Sequence, residues 1–483
     1  MTRPSMPSQY PESTFDNPGP APLGKDLLDE LISAGIDFDV SDRGRADHGR
    51  DWWPLSIQSV ARGEVPHWPG AVVRPTSTRE VSTVLELASR HLIAVTPQGG
   101  RSGVLGGAVA PDGTIALDLT GLSRILSVDQ VAGTVRVEAG VFGPELESHV
   151  QRLGWTVGHF PQSFDLATVG GWIACRGAGQ FSNRYGKIED IVRSLTVVLA
   201  SGDVINVGGN GPRRAVGPDL AQLFVGSEGA LGVITEATLV MHPKANFEER
   251  AVYRFTDFDE GLRACRSILQ RDAHPAVLRL YDDVESERNF SIKGCALVVL
   301  DEGDELLVRA TMAIVADECS AATDLGPNAV QTWLDHRNDV SALSPLWQNG
   351  FVVDTIEASG SWSVLDSMHR DVTEALRSIP EMLVVSTHQS HAYLDGACLY
   401  FTFAGRPTSD STGFYREAWN RASEVIITKG ADLSHHHGIG RNRARFVAGA
   451  LASAFPLLDT IKSLLDPHNI MNPGVLGLGG APW

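Results

Sequence analysis

Hydrophobic positions along this chain change period several times, and the changes mark out its parts. Residues 25–41 (KDLLDELISAGIDFDVS) carry apolar side chains at helical spacing and break at glycine. AVVRPTS, from residue 71, is strand-like, and Ser77 with Glu80 predicts a capping box for the helix REVSTVLELASRH. IAVTPQGG, TIALDL, RILSVD and GTVRVEAG follow as short strands closed by Gly, Pro or Asp. A helix over FGPELESHVQRLG, a glycine-rich stretch, and strands in SLTVVLASGDVI and GVITEATLVMHP complete an α+β domain ending near Pro243. From 250 to 425 the glycines thin out. AVYRFTDFDEGLRACRSIL, CALVVLDEGDELLVRATMAIVADE and ACLYFTFAG alternate strands with helices around an expected central sheet. The pattern divides into a disordered tail (1–24), an N-terminal helical segment (25–68), an α+β domain (69–245), a second domain (246–425) and a C-terminal segment (426–483).

Composition narrows the class. At 483 residues the chain exceeds one ordinary core, and 43% hydrophobic with 20% charged residues is a globular composition. A formal charge of −18 argues against a nucleic-acid partner, because nothing here broadly neutralises phosphates. The five cysteines are scattered without a Cys-x-x-Cys pair, which fits a reducing compartment. The Pro- and Ser-rich start has no apolar core segment, and no run of ~18–20 apolar residues is evident, so a cytoplasmic protein with at most peripheral membrane contact is expected.

Candidate chemistry sits in the glycines and histidines. PQGGRSGVLGG (97–107) follows the strand IAVT directly, and such clusters let backbone N–H groups approach a phosphate. A second element, 165–192, holds Gly170, Gly171, Gly177 and Gly179; a third, 225–239, holds Gly226, Gly229 and Gly232. Three such elements in one domain suit an extended ligand of dinucleotide size. LSHHHGIGR (433–441) places three histidines in a row, which cannot share one helix or strand face and therefore suit a bend around a ligand.

The order P-x-G-G-x-S-G, T-V-G-G, G-S-E-G-x-L-G-V-I-T, with D-P-x-N-I-x-N-P-G at 466–474, resembles the FAD-binding vanillyl-alcohol oxidase/p-cresol methylhydroxylase superfamily. The resemblance implies an α+β fold: an FAD-binding PCMH-type domain, an α/β cap domain for substrate, and a C-terminal segment closing the flavin site. It implies that Pro97, Gln98, Gly99, Gly100, Arg101, Ser102 and Gly103 hold the pyrophosphate. Gln162, Ser163, Thr168, Gly170, Gly171, Ala174, Cys175, Arg176 and Gly177 would line the flavin, as would His159. Glu228, Gly229, Leu231, Gly232, Val233 and Ile234 would add backbone contacts. Covalent relatives often carry histidine in G-G-H-S; this chain has Arg101 there, so the flavin is expected to be non-covalent.

Two branches of that superfamily fit the layout. The D-2-hydroxy-acid dehydrogenases carry H-x-x-G-D-G-N-x-H and Glu-His-Gly and bind a divalent metal with them. Aligned on Asp395-Gly396, this chain has Ala392 and Leu399 at the two histidine positions and His436-His437-Gly438 for Glu-His-Gly, so no metal is expected. The alkylglycerone-phosphate synthases are similar in S-H-H-H-G-x-G (Ser434–Gly440), A-x-x-R-L-x-D (Ala276–Asp282) and Y-x-x-G-A-C-x-Y-F (Tyr393–Phe401). That resemblance implies exchange of the acyl group of acyl-dihydroxyacetone phosphate for a long-chain alcohol, as in ether-lipid synthesis, and a homodimer. It implies Tyr393 as the proton-transfer group, His435, His436 and His437 over the flavin, and Arg279 orienting tyrosine or substrate. Substrate phosphate would fall in 332–347, where Arg337 is the single arginine, beside His336. A metal-independent FAD-linked oxidase or dehydrogenase of a hydroxy acid or alcohol is the alternative. Read from residues alone, Arg279 could simply pair with Asp282 or Asp283, and Tyr393 could be half-buried packing.

Overall fold

The computed structural model of the chain describes residues 9–340 and 344–480. Two sheets carry the glycine loops. In the first, Phe38–Asp39, Ala71–Val73, Ile115–Asp118 and Val95–Gln98 lie side by side in that order, the last three parallel. Val72, Val73, Ile115, Ala116 and Leu117 are all buried, as parallel strands covered on both faces require. The helix Thr78–His91 covers this sheet with one apolar stripe, Val81, Val84, Leu85 and Ala88. Ser77 Oγ accepts from Glu80 N at 3.2 Å, while the Glu80 carboxylate reaches back to Thr76 N at 2.8 Å, one residue before the expected box partner. The second sheet is antiparallel, in the order Ile125–Asp129, Thr134–Glu138, Val233–Val240, Val192–Val198, Val204–Gly208.

The cap is one seven-stranded antiparallel sheet. Its order is Thr323–Asp324, Phe247–Phe255, Cys295–Gly303, Val277–Tyr281, Met382–Ala392, Gly396–Gly405, Val352–Ser361. Period-2 alternation decides which residues face which way. Leu278, Leu280, Leu399, Phe401 and Phe403 join the helices Phe258–Gln270, Trp362–Arg377 and Ser411–Thr428 in one core. Each such side chain contributes about 1.5–3 kcal/mol by burial. The residues between them, Arg279, Tyr281, Tyr400 and Thr402, line a cavity on the opposite face.

The C-terminal segment runs back to the glycine-loop domain. Lys462 Nζ donates to Ala230 O (2.9 Å) and Met471 O (2.7 Å), and Asn472 Nδ2 donates to Gly107 O (3.0 Å) and Glu228 O (2.8 Å). Within it, Ala444–Leu465 reaches, by length and composition alone, what a membrane crossing requires. A break at Ala452 (φ 46°) splits it into the helices Ala444–Leu451 and Phe455–Leu465.

The expected tail also needs correction. Residues 1–8 lie outside the described residues; within 9–24, which are mostly exposed, Glu12–Phe15 form a 3₁₀ turn, Leu23 is buried, and Tyr10 is buried beneath the Arg50 guanidinium, 4.7 Å from the ring centre.

Candidate active site

Between the glycine loops and the inner face of the cap sheet lies a cavity of about 1070 Å³. Pocket volumes for small ligands and cofactors run to ~1,000 Å³, so this one has room for a dinucleotide. Its floor is the Gly-rich loop after Val95–Gln98, with every residue from Pro97 to Gly103 on the lining. Gln162, Ser163, Thr168, Gly170, Gly171, Ala174, Cys175 and Gly177 form one side, and Glu228, Gly229, Gly232, Val233 and Ile234 another. A Cβ added at Gly103 would come no closer than 3.8 Å to any atom, and one at Gly171 no closer than 3.4 Å. The backbone there faces open cavity, which is the approach a pyrophosphate or flavin edge requires. The residues present therefore fit FAD.

Five expected site residues do not line this space. His159 is buried against Trp172, ring centres 4.8 Å apart; neither ring nitrogen has a hydrogen-bond partner among the described residues, and burial lowers its pKa to about 3. Arg176 turns outward to Glu189, Nε to Oε1 3.3 Å. Leu231 belongs to the core of the second sheet. Tyr393 and His435 are hydrogen-bonded to each other behind the lining, with Lys187 Nζ 3.7 Å above the Tyr393 ring. Arg279, Arg337, His436 and His437 do reach the cavity.

Strand register supplies what the sequence did not single out. Tyr281, His388, Tyr400 and Glu357 are successive cross-strand partners on four neighbouring strands. His388 stacks on Tyr400, ring centres 4.7 Å apart. The Tyr400 hydroxyl accepts from Thr355 Oγ1 at 3.0 Å and lies 3.4 Å from His437 Nε2. With Thr355 donating to it, its own proton is free to point at that nitrogen. Burial pushes the Tyr400 phenol up and His437 down to about 4, so both are neutral near pH 7. Burial likewise lowers His435 and His436 to about 3.

Two buried carboxylates hold the histidine bend. Glu357, from the cap sheet, accepts from His435 N (2.5 Å), His437 N (2.8 Å), Ser434 Oγ (2.9 Å) and Arg443 Nη1 (2.9 Å). Burial opposes its charge, but Arg443 and these donors keep it well below the usual carboxylate range. Glu228, from the glycine-loop domain, accepts from Ile439 N at 2.5 Å and Gly440 N at 2.8 Å, while burial raises it to about 7. The bend is thus pinned to both domains at once.

Three ring nitrogens, from His391, His435 and His436, come within 4.8 Å of one another. The His391 and His435 rings are stacked, 4.9 Å between centres and 21° between planes, so their lone pairs lie in two separate, nearly parallel planes.

Comparison with known proteins agrees with this geometry. Residues 69–208 match the FAD binding domain family, and residues 244–476 match the C-terminal domain of FAD linked oxidases. An FAD-linked oxidoreductase of Escherichia coli K12 is 31% identical over 431 residues, covering 84% of this chain and 89% of that one. The chain belongs to the FAD-linked oxidase family. Within this family, an alkyldihydroxyacetonephosphate synthase of Trypanosoma brucei brucei is 30% identical over 474 residues, covering 88% of this chain and 75% of its own. A solved alkyldihydroxyacetonephosphate synthase superposes with a TM-score of 0.81 at 25% identity, covering 98% of this chain and 89% of that chain. The chain is a flavoenzyme with FAD as its cofactor, and its fold is that of a PCMH-type domain with a cap.

Proposed function

We propose that this FAD-linked enzyme carries out alkylglycerone-phosphate-synthase-like exchange of an acyl group for a long-chain alcohol. The observation that carries the reading is the Tyr400–His437 pair, set between the cap sheet and the histidine bend and open to the cavity. FAD, when bound, supplies an electrophilic and reducible ring system to the site. The chain's own residues handle the proton. Tyr400 directs its hydroxyl proton to His437 Nε2, which receives it as the Tyr400 oxygen takes one from an incoming alcohol. Glu357 Oε1 stands 3.8 Å from His437 Nδ1 and steadies the positive charge that then forms on the ring. Apolar side chains, among them Ile57, Val104, Val353, Trp347 and Phe290, offer the cavity wall a long chain needs. The Tyr393 hydroxyl is hydrogen-bonded to His435 and neither residue lines the cavity, which favours Tyr400 for this part.

The E. coli oxidoreductase relative favours a second reading, net oxidation, and relatives named as a glycolate oxidase subunit and a D-lactate dehydrogenase favour a hydroxy acid as its substrate, with the same Tyr400–His437 pair as base. The test is product formation. Purified protein given acyl-dihydroxyacetone phosphate and hexadecanol should release the fatty acid and yield the alkyl ether, identified by mass spectrometry. Absence of the ether, with oxidation of a hydroxy acid instead, would replace the first reading with the second.

A further inference from the structure

The first glycine loop is held from outside by a stretch that precedes both matched families, the first of which begins at residue 69. Arg101 donates to the Asp47 carbonyl, Gln98 Nε2 donates to His48 O at 2.8 Å, and Trp52 N donates to Gly103 O at 3.0 Å. The buried Asp51 carboxylate accepts from Trp53 N at 2.9 Å and from Ala108 N at 3.4 Å. Trp53 closes over the far turn, where a Cβ added at Gly106 would sit 2.8 Å from its indole. Residues 47–53 thus follow the loop from Gln98 to Ala108, and Trp52, with Pro54 and Ile57, reaches the cavity itself. The loop needs such ties. Five of the eleven residues 97–107 are glycine, so ordering this loop costs more conformational entropy than ordering an ordinary turn.

The holding stretch is in turn anchored by the start of the chain. Arg50 Nη2 donates to Asp47 Oδ1 at 2.8 Å, and the Tyr10 ring lies 4.7 Å beneath the Arg50 guanidinium. The Tyr10 hydroxyl donates to Ala46 O at 3.2 Å. Tyr10, Ala46 and Val60 form a small cluster apart from the larger cores. No residue between Tyr10 and Leu23 is buried, so this one ring anchors the segment that precedes Leu23. A unit with so few buried contacts opens without unfolding the rest of the molecule.

We propose that residues 9–53 are a strap that keeps the first glycine loop closed on FAD, with Tyr10 beneath Arg50 as its latch, so that the cofactor enters and leaves as the strap lifts. The proposal rests on that loop holding FAD, and not on which reaction the cavity performs.

The rate of FAD loss tests it. Holoprotein is diluted into flavin-free buffer, and the flavin still on the protein is read by its visible absorbance after timed gel filtration. Tyr10→Leu keeps an apolar plug but removes the ring face and the hydroxyl; it should speed FAD loss about tenfold or more, the worth of a shielded cation–π contact. Tyr10→Phe keeps the ring face and should lie closer to wild type. Asp51→Asn puts an amide in place of one carboxylate oxygen and should speed the loss from the other end of the strap. The Tm of each apoprotein should stay near that of wild-type apoprotein, while the rise in Tm on adding FAD shrinks. Unchanged FAD loss in both Tyr10→Leu and Asp51→Asn would overturn the strap. So would an apoprotein Tm that falls as far as the holoprotein Tm, because these groups would then serve general stability alone. If Gly100→Ala releases FAD and Tyr10→Leu does not, the loop's role stands and the strap falls, so the two claims fail separately.

Discussion

Tyr393 and Tyr400 stand seven residues apart in the motif Tyr393–Phe401, and the two fare differently in the fold. Tyr400 faces the cavity beside His437, whereas Tyr393 lies past the strand end, under Lys187 and bonded to His435. Tyr400→Phe should lower turnover by ~10²–10⁴, the usual worth of a positioned acid–base group, with FAD retained. Tyr393→Phe should cost far less, measured as kcat under the same conditions. Equal losses would mean that Tyr393 acts on the reacting atoms after all. The motif showed two tyrosines; only the pairing of His388 with Tyr400 and of Tyr400 with Glu357 says which one points inward.

At the scale of elements, the glycine loops were the most legible part of the site and the histidine bend the least. A glycine cluster at a strand end has a backbone reason to exist that spacing alone conveys. At Gly100, an added Cβ would sit 1.6 Å from Leu166 O, so Gly100→Ala must shift the loop. It should cost ~1–3 kcal/mol in denaturant unfolding and release FAD on gel filtration; full flavin retention would contradict the placement of this loop. The bend, by contrast, depends on Glu228 and Glu357, which lie about 130 residues apart and come from different domains. No local pattern announces that pairing. The bend also gives the protein an acid sensitivity with a definite sign. His436 falls from 6.5 to about 3 on folding, mainly through burial, so the unfolded chain binds more protons between those values. Its stabilising contribution is complete above pH 6.5 and is lost as pH falls toward 3–4. His436→Gln should therefore flatten the fall of Tm between pH 6.5 and 4, and an unchanged slope would mean that the ring is charged in the folded state.

For the whole molecule, period and glycine placement were enough to predict an α+β arrangement with a second, sheet-centred domain, because alternation in strands such as Gly396–Gly405 survives into the fold. Within residues 9–24 the polar composition hides two anchors, Leu23 and the buried ring of Tyr10 with its cation Arg50. Non-covalent FAD is expected from Arg101, whose guanidinium reaches the Asp47 carbonyl. Acid precipitation should leave all of the yellow colour in the supernatant, and colour in the pellet would reveal a covalent link.

The central claim is redox-neutral exchange at a flavin, and the flavin spectrum of the purified protein without oxygen tests it most directly. Acyl-dihydroxyacetone phosphate should shift the flavin band, hexadecanol should restore it, and glycolate or D-lactate should not bleach it. Bleaching by a hydroxy acid or a simple alcohol, with no response to the acyl phosphate, would contradict the account and make the enzyme an oxidase or dehydrogenase.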